Sequence, residues 1–490
     1  MKTLLLLILL TSGICVRYLR WFAFLQQKEY RLDRLHLFLR SSEGRQELLR
    51  LIPQRSDLTR AGCKRPKLTS RIIVVMVLAF LLILSILLGA LRIVDFQNPA
   101  SISAVLSAIL ILYIGAPAII LIASAPTSVI SSIVVRITAL KAQRLMMLHK
   151  PIVIGITGSY GKSSTKALLS HLLSQNSTVF ATPKSYNTLF SIVKSILRGY
   201  TNQKFAVIEY AAYVPGEIAR ITKYIHPNLA IITGFAPQHL GLFGSEDNII
   251  SAKAELVAAL QPGEKVFSNG SSEETQEIAR RGQSSQSVMH TVINWHDLFS
   301  DVHITEAGHL SFKYKTQVIN TRIIGKQYIQ NIALAWTVAA LYLDESELVQ
   351  AVRSFQPTES FITSNAHSSG RIIFDDGGSS NPKGFTEALE LLATLPAKQK
   401  VVITPGIVDL GTSSDEIHQR LAERLNTVAD QVWYVGETGK TTMQSILGTK
   451  MKTDQAEILS LLQSKNQSGI VLVEGRMPAW IQNSLQETKE

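Results

Sequence analysis

The chain has 490 residues, 46% of them hydrophobic and 18% charged, which excludes a disordered or fibrous protein and leaves room for two to four domains. The net charge of +12 suggests a nucleic-acid binder until it is located: residues 1–150 carry 20 Lys and Arg against 6 Asp and Glu, while the other 340 hold 29 against 31. The larger part is therefore near neutral, which excludes a basic nucleic-acid-binding body, and two cysteines, Cys15 and Cys63, are too few for a disulfide framework and fit a reducing compartment.

Residues 4–16 are apolar and are followed by Arg17 and Arg20. With no small-x-small cleavage site they read as a first anchor rather than a signal peptide. Residues 72–91 form an uncharged run of 20 between Arg71 and Arg92, the length a bilayer-spanning helix requires. Residues 96–135 are also uncharged but contain Pro117 and Pro126, so a crossing near 101–124 followed by an interfacial segment is expected. Segment 17–71 holds 14 Lys and Arg against 5 Asp and Glu, and Arg136, Lys141, Arg144 and Lys150 follow the third apolar stretch. Basic short loops stay in the cytoplasm, so three crossings place the N-terminus outside and everything after 136 inside. Within the basic loop, residues 26–66 carry Leu32, Leu35 and Leu39 near helical spacing. They fit either a solvated helix or one lying on an anionic leaflet.

From 151 onward short strand-like apolar runs recur at 151–157, 205–209, 229–233, 371–375, 401–404, 432–435 and 470–474, with helical periodicity between most of them. That alternation predicts parallel sheets covered by helices, an α/β architecture. Residues 268–325 are more hydrophilic and read as β-rich, ahead of a helix at 328–343. The polar stretch 355–370, with Pro357 and Gly370, reads as a linker between domains. No internal repeat is evident.

The first strand, PIVIGIT, runs into GSYGKSST and then into an apolar-periodic helix with Leu168, Leu169, Leu172 and Leu173. Strand, glycine loop and helix in this order make a phosphate cradle: Gly158 and Gly161 let backbone N–H groups turn inward, and the helix N-terminus adds positive potential. Lys162 then reaches the β- and γ-phosphates and the Ser163 hydroxyl holds Mg²⁺, with Ser164 beside them. The loop departs from the strict eight-residue pattern, because its first glycine is Gly155. Glu209 closes the run FAVIE and His239 follows LAIIT. In a parallel sheet both emerge at the same carboxyl edge as the loop, where such sheets bind ligands.

Taken in order, GITGSYGKSSTK, KSYNT (184–188), IEYAAYVPGEIARI (208–221), TGFAPQHLGLFGS, AKAEL (252–256) and DDGGSSNP (375–382) resemble the Mur ligase superfamily, and most closely its D-alanyl-D-alanine-adding branch, over about 151–480. The resemblance implies an ATP-dependent, ADP-forming acid–amino-acid ligase that makes an acyl phosphate and then an amide in peptidoglycan precursor synthesis. It implies ATP and Mg²⁺ as cofactors, a peptide-bearing carboxylate and an amino-acid or dipeptide amine; the apolar N-terminal region adds contact with membrane lipids and a lipid-linked form of the carboxylate as a candidate, and the near-neutral larger part argues against nucleic acid. Residue by residue, it implies triphosphate and Mg²⁺ on Lys162 and Ser163, metal on Glu209 and His239, and a carbamylated lysine at Lys253. Asn331 matches an asparagine near the nucleotide base, Arg371 and Asp375 match a pair that closes onto ATP, Asn187 lies near the acceptor, and Arg476 resembles a basic residue near the amine's carboxylate.

The expected architecture is α/β: a membrane region at 1–150, a P-loop-type parallel-sheet ATPase domain at 151–356 and a C-terminal Rossmann-like domain at 357–490. The apolar runs and the basic loops place it in a membrane with its catalytic domains cytoplasmic, and the resemblance makes that membrane the bacterial inner one. Departures from the family pattern touch nucleotide contacts. Gln327 stands where a histidine is expected, Gly378 where an aromatic is expected and Gly234 where an asparagine is common, and residues 1–150 replace the uridine-binding domain. Ligation in another amino-acid conjugate or polymer, or a nucleotide-binding membrane scaffold without turnover, are the rival readings. His296, His303, His309 and His418 have no metal-like spacing.

Overall fold

The computed structural model describes the chain except for residues 1, 41, 53–63, 93–98, 238–239, 284–287, 378–379, 409, 411–412, 465–467 and 486–490. It divides into two compact units, Met1–Ile137 and Thr138–Glu490.

The first unit is helical: Lys2–Gln27, Leu32–Arg40, Ser42–Leu49, Ser70–Arg92, Pro99–Ile114, and the start of the long helix Ala116–His149. Among the described residues, Ser70–Arg92 and Ala116–His149 are long and apolar enough to cross a membrane. The third apolar stretch differs from expectation. It breaks at Gly115, and the long helix starts at Ala116 rather than near 101. Pro117 sits in its first turn, where a missing N–H is harmless, and the helix passes through Pro126 without ending. The basic loop does not form one helix either. Leu35 and Phe38 turn inward against Trp21, Phe24 and Ile72, which uses the apolar side that a leaflet-lying or solvated helix would leave outside.

The second unit is built on two six-stranded sheets. The first contains β1 Ile152–Thr157, β2 Val179–Ala181, β3 Phe205–Glu209, β4 Leu229–Ile232, β5 Lys265–Asn269 and β6 Met289–Ile293 in the order β2-β3-β1-β4-β5-β6. Every pair is parallel. An antiparallel meander follows, β7 Phe299–Ile304, β8 His309–Tyr314 and β9 Gln317–Ile324. It buries Leu310, Phe312, Ile319 and Ile323 in the same core as Trp336. Helix Ile329–Ala339 is buried almost all round because it is wedged against helix Lys162–Leu173 and covered by the meander.

The second sheet has the order β10-β11-β15-β12-β13-β14, with β10 Thr363–Ala366, β11 Ile372–Asp376, β12 Lys400–Thr404, β13 Gln431–Tyr434, β14 Met451–Lys452 and β15 Ile470–Glu474. It is parallel apart from β10, which runs antiparallel to β11. The polar segment expected as a linker therefore folds in part: Thr363–Ala366 supplies the edge strand. One hydrophobic core runs from Ile154 through Tyr328 and Phe361 to Leu472.

Two tyrosines tie the halves of this unit. Tyr328 Oη accepts the Ile362 N–H at 3.0 Å, and Tyr160 Oη accepts from Lys383 Nζ at 2.7 Å. Asp376 and Glu474 end adjacent strands in register and share the space under Tyr328 with Glu387. Burial pushes Asp376 up to about 6 and Glu387 up to about 7, the latter in spite of Lys383. Glu474 is raised well above the carboxylate range by burial and by Asp376. Each acid keeps a proton in the folded state at a pH where the unfolded chain has lost it. Stability therefore falls as pH rises from about 4.5 towards 7. Glu387→Gln is expected to match the wild-type thermal midpoint near pH 4.5 and exceed it at pH 8, by about 1–2 kcal/mol. Equal midpoints at pH 8 would show that this carboxyl ionises without penalty.

Candidate active site

The site forms where β1 ends and the chain turns through Gly158–Gly161 into helix Lys162–Leu173. Gly161 is left-handed at φ 80°, and a Cβ there would come within 2.8 Å of Asn331 Oδ1. A Cβ on Gly158 would strike Thr233 Oγ1. Both glycines are thus required by the close approach of backbone to neighbouring side chains. Three bonds to the loop after β4 fix the turn. Thr233 Oγ1 donates to the Tyr160 carbonyl at 2.5 Å, Ser159 Oγ to the Ala236 carbonyl at 2.8 Å, and the Ser159 N–H to the Gly234 carbonyl at 2.6 Å. The Tyr160 ring lies on Gly234 in the space a side chain there would fill.

Glu209 closes β3 beside β1, in register with Ile156, and is 1% exposed. Its Oε2 accepts from Ser163 Oγ at 2.8 Å and Lys166 Nζ at 3.3 Å, and its Oε1 from Asn187 Nδ2 at 3.0 Å. Burial opposes its charge, but Lys162 and Lys166, with the Asn187 and Ser163 bonds, outweigh burial and hold the carboxyl below its usual range. Lys166 also donates to the Lys184 carbonyl.

Lys162 folds back on its own loop, donating from Nζ to the Gly158 carbonyl at 2.9 Å and the Ser159 carbonyl at 3.1 Å. Lys253, on helix Glu246–Ala258, donates to the same Gly158 carbonyl at 2.9 Å. Two amines therefore meet on one oxygen. Burial lowers the pKa of both, and the nearby charge of Lys162 helps to drive Lys253 well below the ordinary lysine value. Among the described residues Lys253 has no ion pair, and burial favours its neutral amine form.

Asn331 does not stand apart from the loop: its Nδ2 donates to Ser164 Oγ at 3.1 Å, and Ser164 Oγ donates to the Gly161 carbonyl at 3.1 Å. Arg371 is turned away. It shares the face of β11 that carries Ile373, donates to the Leu461 carbonyl at 2.6 Å and lies 5.8 Å from the Trp433 ring. Asp375 is exposed and accepts the Gly377 N–H at 2.8 Å; the neighbouring Asp376, with opposite strand parity, joins the enclosed acid cluster instead. Arg476 is exposed in the turn after β15. His239 and Gly378 lie outside the described residues. The sequence reading passed over Lys166, Thr233, Tyr160, Lys383 and Glu474. Lys166 carried one usable signal, since four residues after Lys162 it must share that helix face.

The Ser163 hydroxyl and the Glu209 carboxylate are hard oxygen donors at the carboxyl edge, beside Lys162, and this donor chemistry suits Mg²⁺. The loop backbone and Lys162 form an anion cradle. Together they can bind a polyphosphate and a divalent cation.

Comparison with known proteins agrees with this geometry. Residues 156–339 match the family model described as Mur ligase middle domain. A relative in Synechocystis, named UDP-N-acetylmuramoyl-tripeptide–D-alanyl-D-alanine ligase, is 26% identical over 284 residues, 56% of this chain and 60% of its own length. The Escherichia coli protein of the same name is 24% identical over 69% of this chain and 77% of its own. The chain thus spans less than two thirds of the Synechocystis relative. The crystal structure of the MurF ligase from Thermotoga maritima in complex with ADP superposes with a TM-score of 0.62 at 23% identity, covering 72% of this chain and 83% of that one. Residues 156–339 thus match a Mur ligase middle domain.

Proposed function

We propose that the chain is an ATP-dependent, ADP-forming amide ligase of peptidoglycan precursor synthesis, attached to the membrane by its N-terminal helices. The observation that carries this reading is the convergence of Lys162, Ser163, Asn187, Glu209 and Lys253 on one glycine loop at the carboxyl edge of a parallel sheet. A carboxylate can attack a triphosphate only if the charge between them is neutralised. Lys162 and the inward N–H groups supply part of that, and Ser163 and Glu209 are placed to hold Mg²⁺, which neutralises phosphate oxygens when bound. Lys166 keeps Glu209 ionised and oriented. Lys253 suits carbamylation, because a neutral amine is the form that adds carbon dioxide and loses a proton. Asn187, bonded to Glu209, borders the space for the acceptor.

The relatives' names supply the substrate class: a peptide-bearing carboxylate accepts a D-alanyl-D-alanine amine. The apolar helices Ser70–Arg92 and Ala116–His149, with basic residues after them, support attachment with the site on the cytoplasmic side. They also favour an acceptor already on a lipid carrier.

Two measurements test this. Purified chain with ATP and Mg²⁺ is expected to release phosphate only when a peptide acceptor and a free amine are both present, faster with the lipid-linked than with the uridine-linked acceptor. Lys162→Ala should lower that rate by about 10²-fold or more. Nucleotide binding without turnover under any combination would favour the scaffold reading instead. Separately, Gly161→Ala places a side chain in a left-handed position at roughly 1–2 kcal/mol and against Asn331. ATP affinity by calorimetry should fall about tenfold or more, and unchanged affinity would show that the loop is not the phosphate cradle.

A further inference from the structure

The cations of the second unit are distributed unevenly. Residues 138–228 hold 11 Lys and Arg against 2 Asp and Glu, whereas residues 229–490 hold 21 against 29. In the later segment several exposed or half-buried cations are matched: Arg281 with Asp247, Lys313 with Asp301, Lys315 with Glu345, Arg420 with Glu416, Arg424 with Glu390 and Lys452 with Glu457. Lys141, Arg144, Lys150, Arg198, Lys204 and Lys223 are all exposed, and among the described residues none of them is in an ion pair.

These six lie at one end of the first sheet. Lys150 precedes β1 and Lys204 precedes β3, with the Ile152 N–H donating to the Lys204 carbonyl at 2.9 Å. Gln143 Nε2 donates to the Lys223 carbonyl at 3.1 Å, which seats the end of helix Ala116–His149 beside the segment leading to β4. The His149 ring lies tilted against Tyr200 with 5.6 Å between centroids, and Tyr200 ends helix Leu189–Gly199 just after Arg198. The acid at this edge, Glu264, is already engaged by His226 at 3.3 Å and by Asn228 at 3.0 Å. Exposed apolar side chains stand among the cations: Met147 is 67% exposed, Leu148 74% and Leu197 40%.

We propose that this amino-terminal edge is a docking surface for the anionic phospholipid headgroups of a bilayer. Unpaired cations match a negative leaflet, and interleaved exposed apolar side chains fit an interface that accepts both charge and shallow insertion. A nucleic acid would match the charge but would leave Met147, Leu148 and Leu197 without a partner. The edge also begins where the apolar helix Ala116–His149 delivers the chain to β1. The inference deepens the membrane-attached reading above and rests on it. Its consequence concerns the acceptor: the phosphate loop sits at the opposite end of β1, six residues and roughly 20 Å away. A lipid-linked acceptor must therefore carry its reacting carboxylate about that far from the headgroups.

The test uses the full chain reconstituted in nanodiscs of phosphatidylcholine alone or mixed with phosphatidylglycerol. Hydrogen exchange of amides around 141–150, 198–204 and 220–224 is expected to slow only in the anionic discs, and to recover at high salt or in a Lys141→Glu, Lys204→Glu, Lys223→Glu triple variant. Equal exchange in the two discs, or protection that survives charge reversal, overturns the proposal. If the chain does not enter discs, membrane attachment fails by itself. Sedimentation with vesicles of the two compositions then decides the docking surface: capture by anionic vesicles alone, weakened roughly fivefold per charge removed, supports it, and no capture, or capture by RNA in place of the vesicles, overturns it.

Discussion

A carboxylate 1% exposed to solvent, Glu209, is the constraint around which the candidate site is arranged. A buried charge is tolerated only when it is paired and hydrogen-bonded, and here every contact of Glu209 comes from a residue with a further task. Ser163 opens the helix after the phosphate loop, Asn187 leads into helix Leu189–Gly199, and Lys166 lies one turn along the loop's own helix. The ion network that keeps Glu209 ionised therefore also fixes where the loop and the next helix stand. The same accounting explains why Lys253 differs from Lys166. Both are buried lysines whose pKa burial lowers, but among the described residues only Lys166 has a carboxylate to offset it, and Lys253 is driven well below the ordinary value.

Much of this was legible in the sequence where the signal is local. The apolar runs that became β1, β3, β4, β12, β13 and β15 are central strands buried on both faces, and such strands announce themselves by hydrophobicity alone; β11, also central, is buried only at Ile373 and Phe374. β2 has three residues, β6 is largely exposed and β10 has the polar sequence TSNA, so no continuous buried apolar run marked them; they exist because a neighbour offers a free ladder. Gly158, Gly161, Lys162 and Ser163 were readable because strand, glycine, lysine and hydroxyl follow one another in the chain. Arg371 was less so, because which side of a strand a residue occupies depends on the core that claims its parity. Ile373 and Trp433 claimed that side for the far face. The acids at 376 and 474 are nearly a hundred residues apart and become neighbours only through the pairing of β11 with β15.

The departures from the family pattern have physical counterparts. Gly234, where an asparagine is common, leaves the room that the Tyr160 ring takes, and Tyr160 in turn receives Lys383 from the far half. Gln327 lies against Gly325, where a Cβ would collide with it. Its neighbour Tyr328 holds the backbone of Ile362 and roofs the acid cluster. Both hydrogen bonds described between the halves thus end on tyrosines that flank altered positions. The altered positions thus lie beside the contacts between the two sheets.

A parallel sheet has two chemically distinct ends, and this chain uses both. Helix N-termini and glycine turns gather at the carboxyl edge, where they favour anions, and that edge holds the phosphate loop. The amino edge receives helix C-termini, whose carbonyls favour cations, and Arg198, Lys204 and Lys223 sit there at little electrostatic penalty. A set of unmatched cations at the carboxyl edge would compete with Lys162 for any anion bound there and weaken its hold on one geometry. Placing them at the other end of a strand about 20 Å long puts them beyond two Debye lengths at physiological salt. The basic surface and the polyphosphate cradle can therefore coexist in one small domain because the sheet itself keeps them apart.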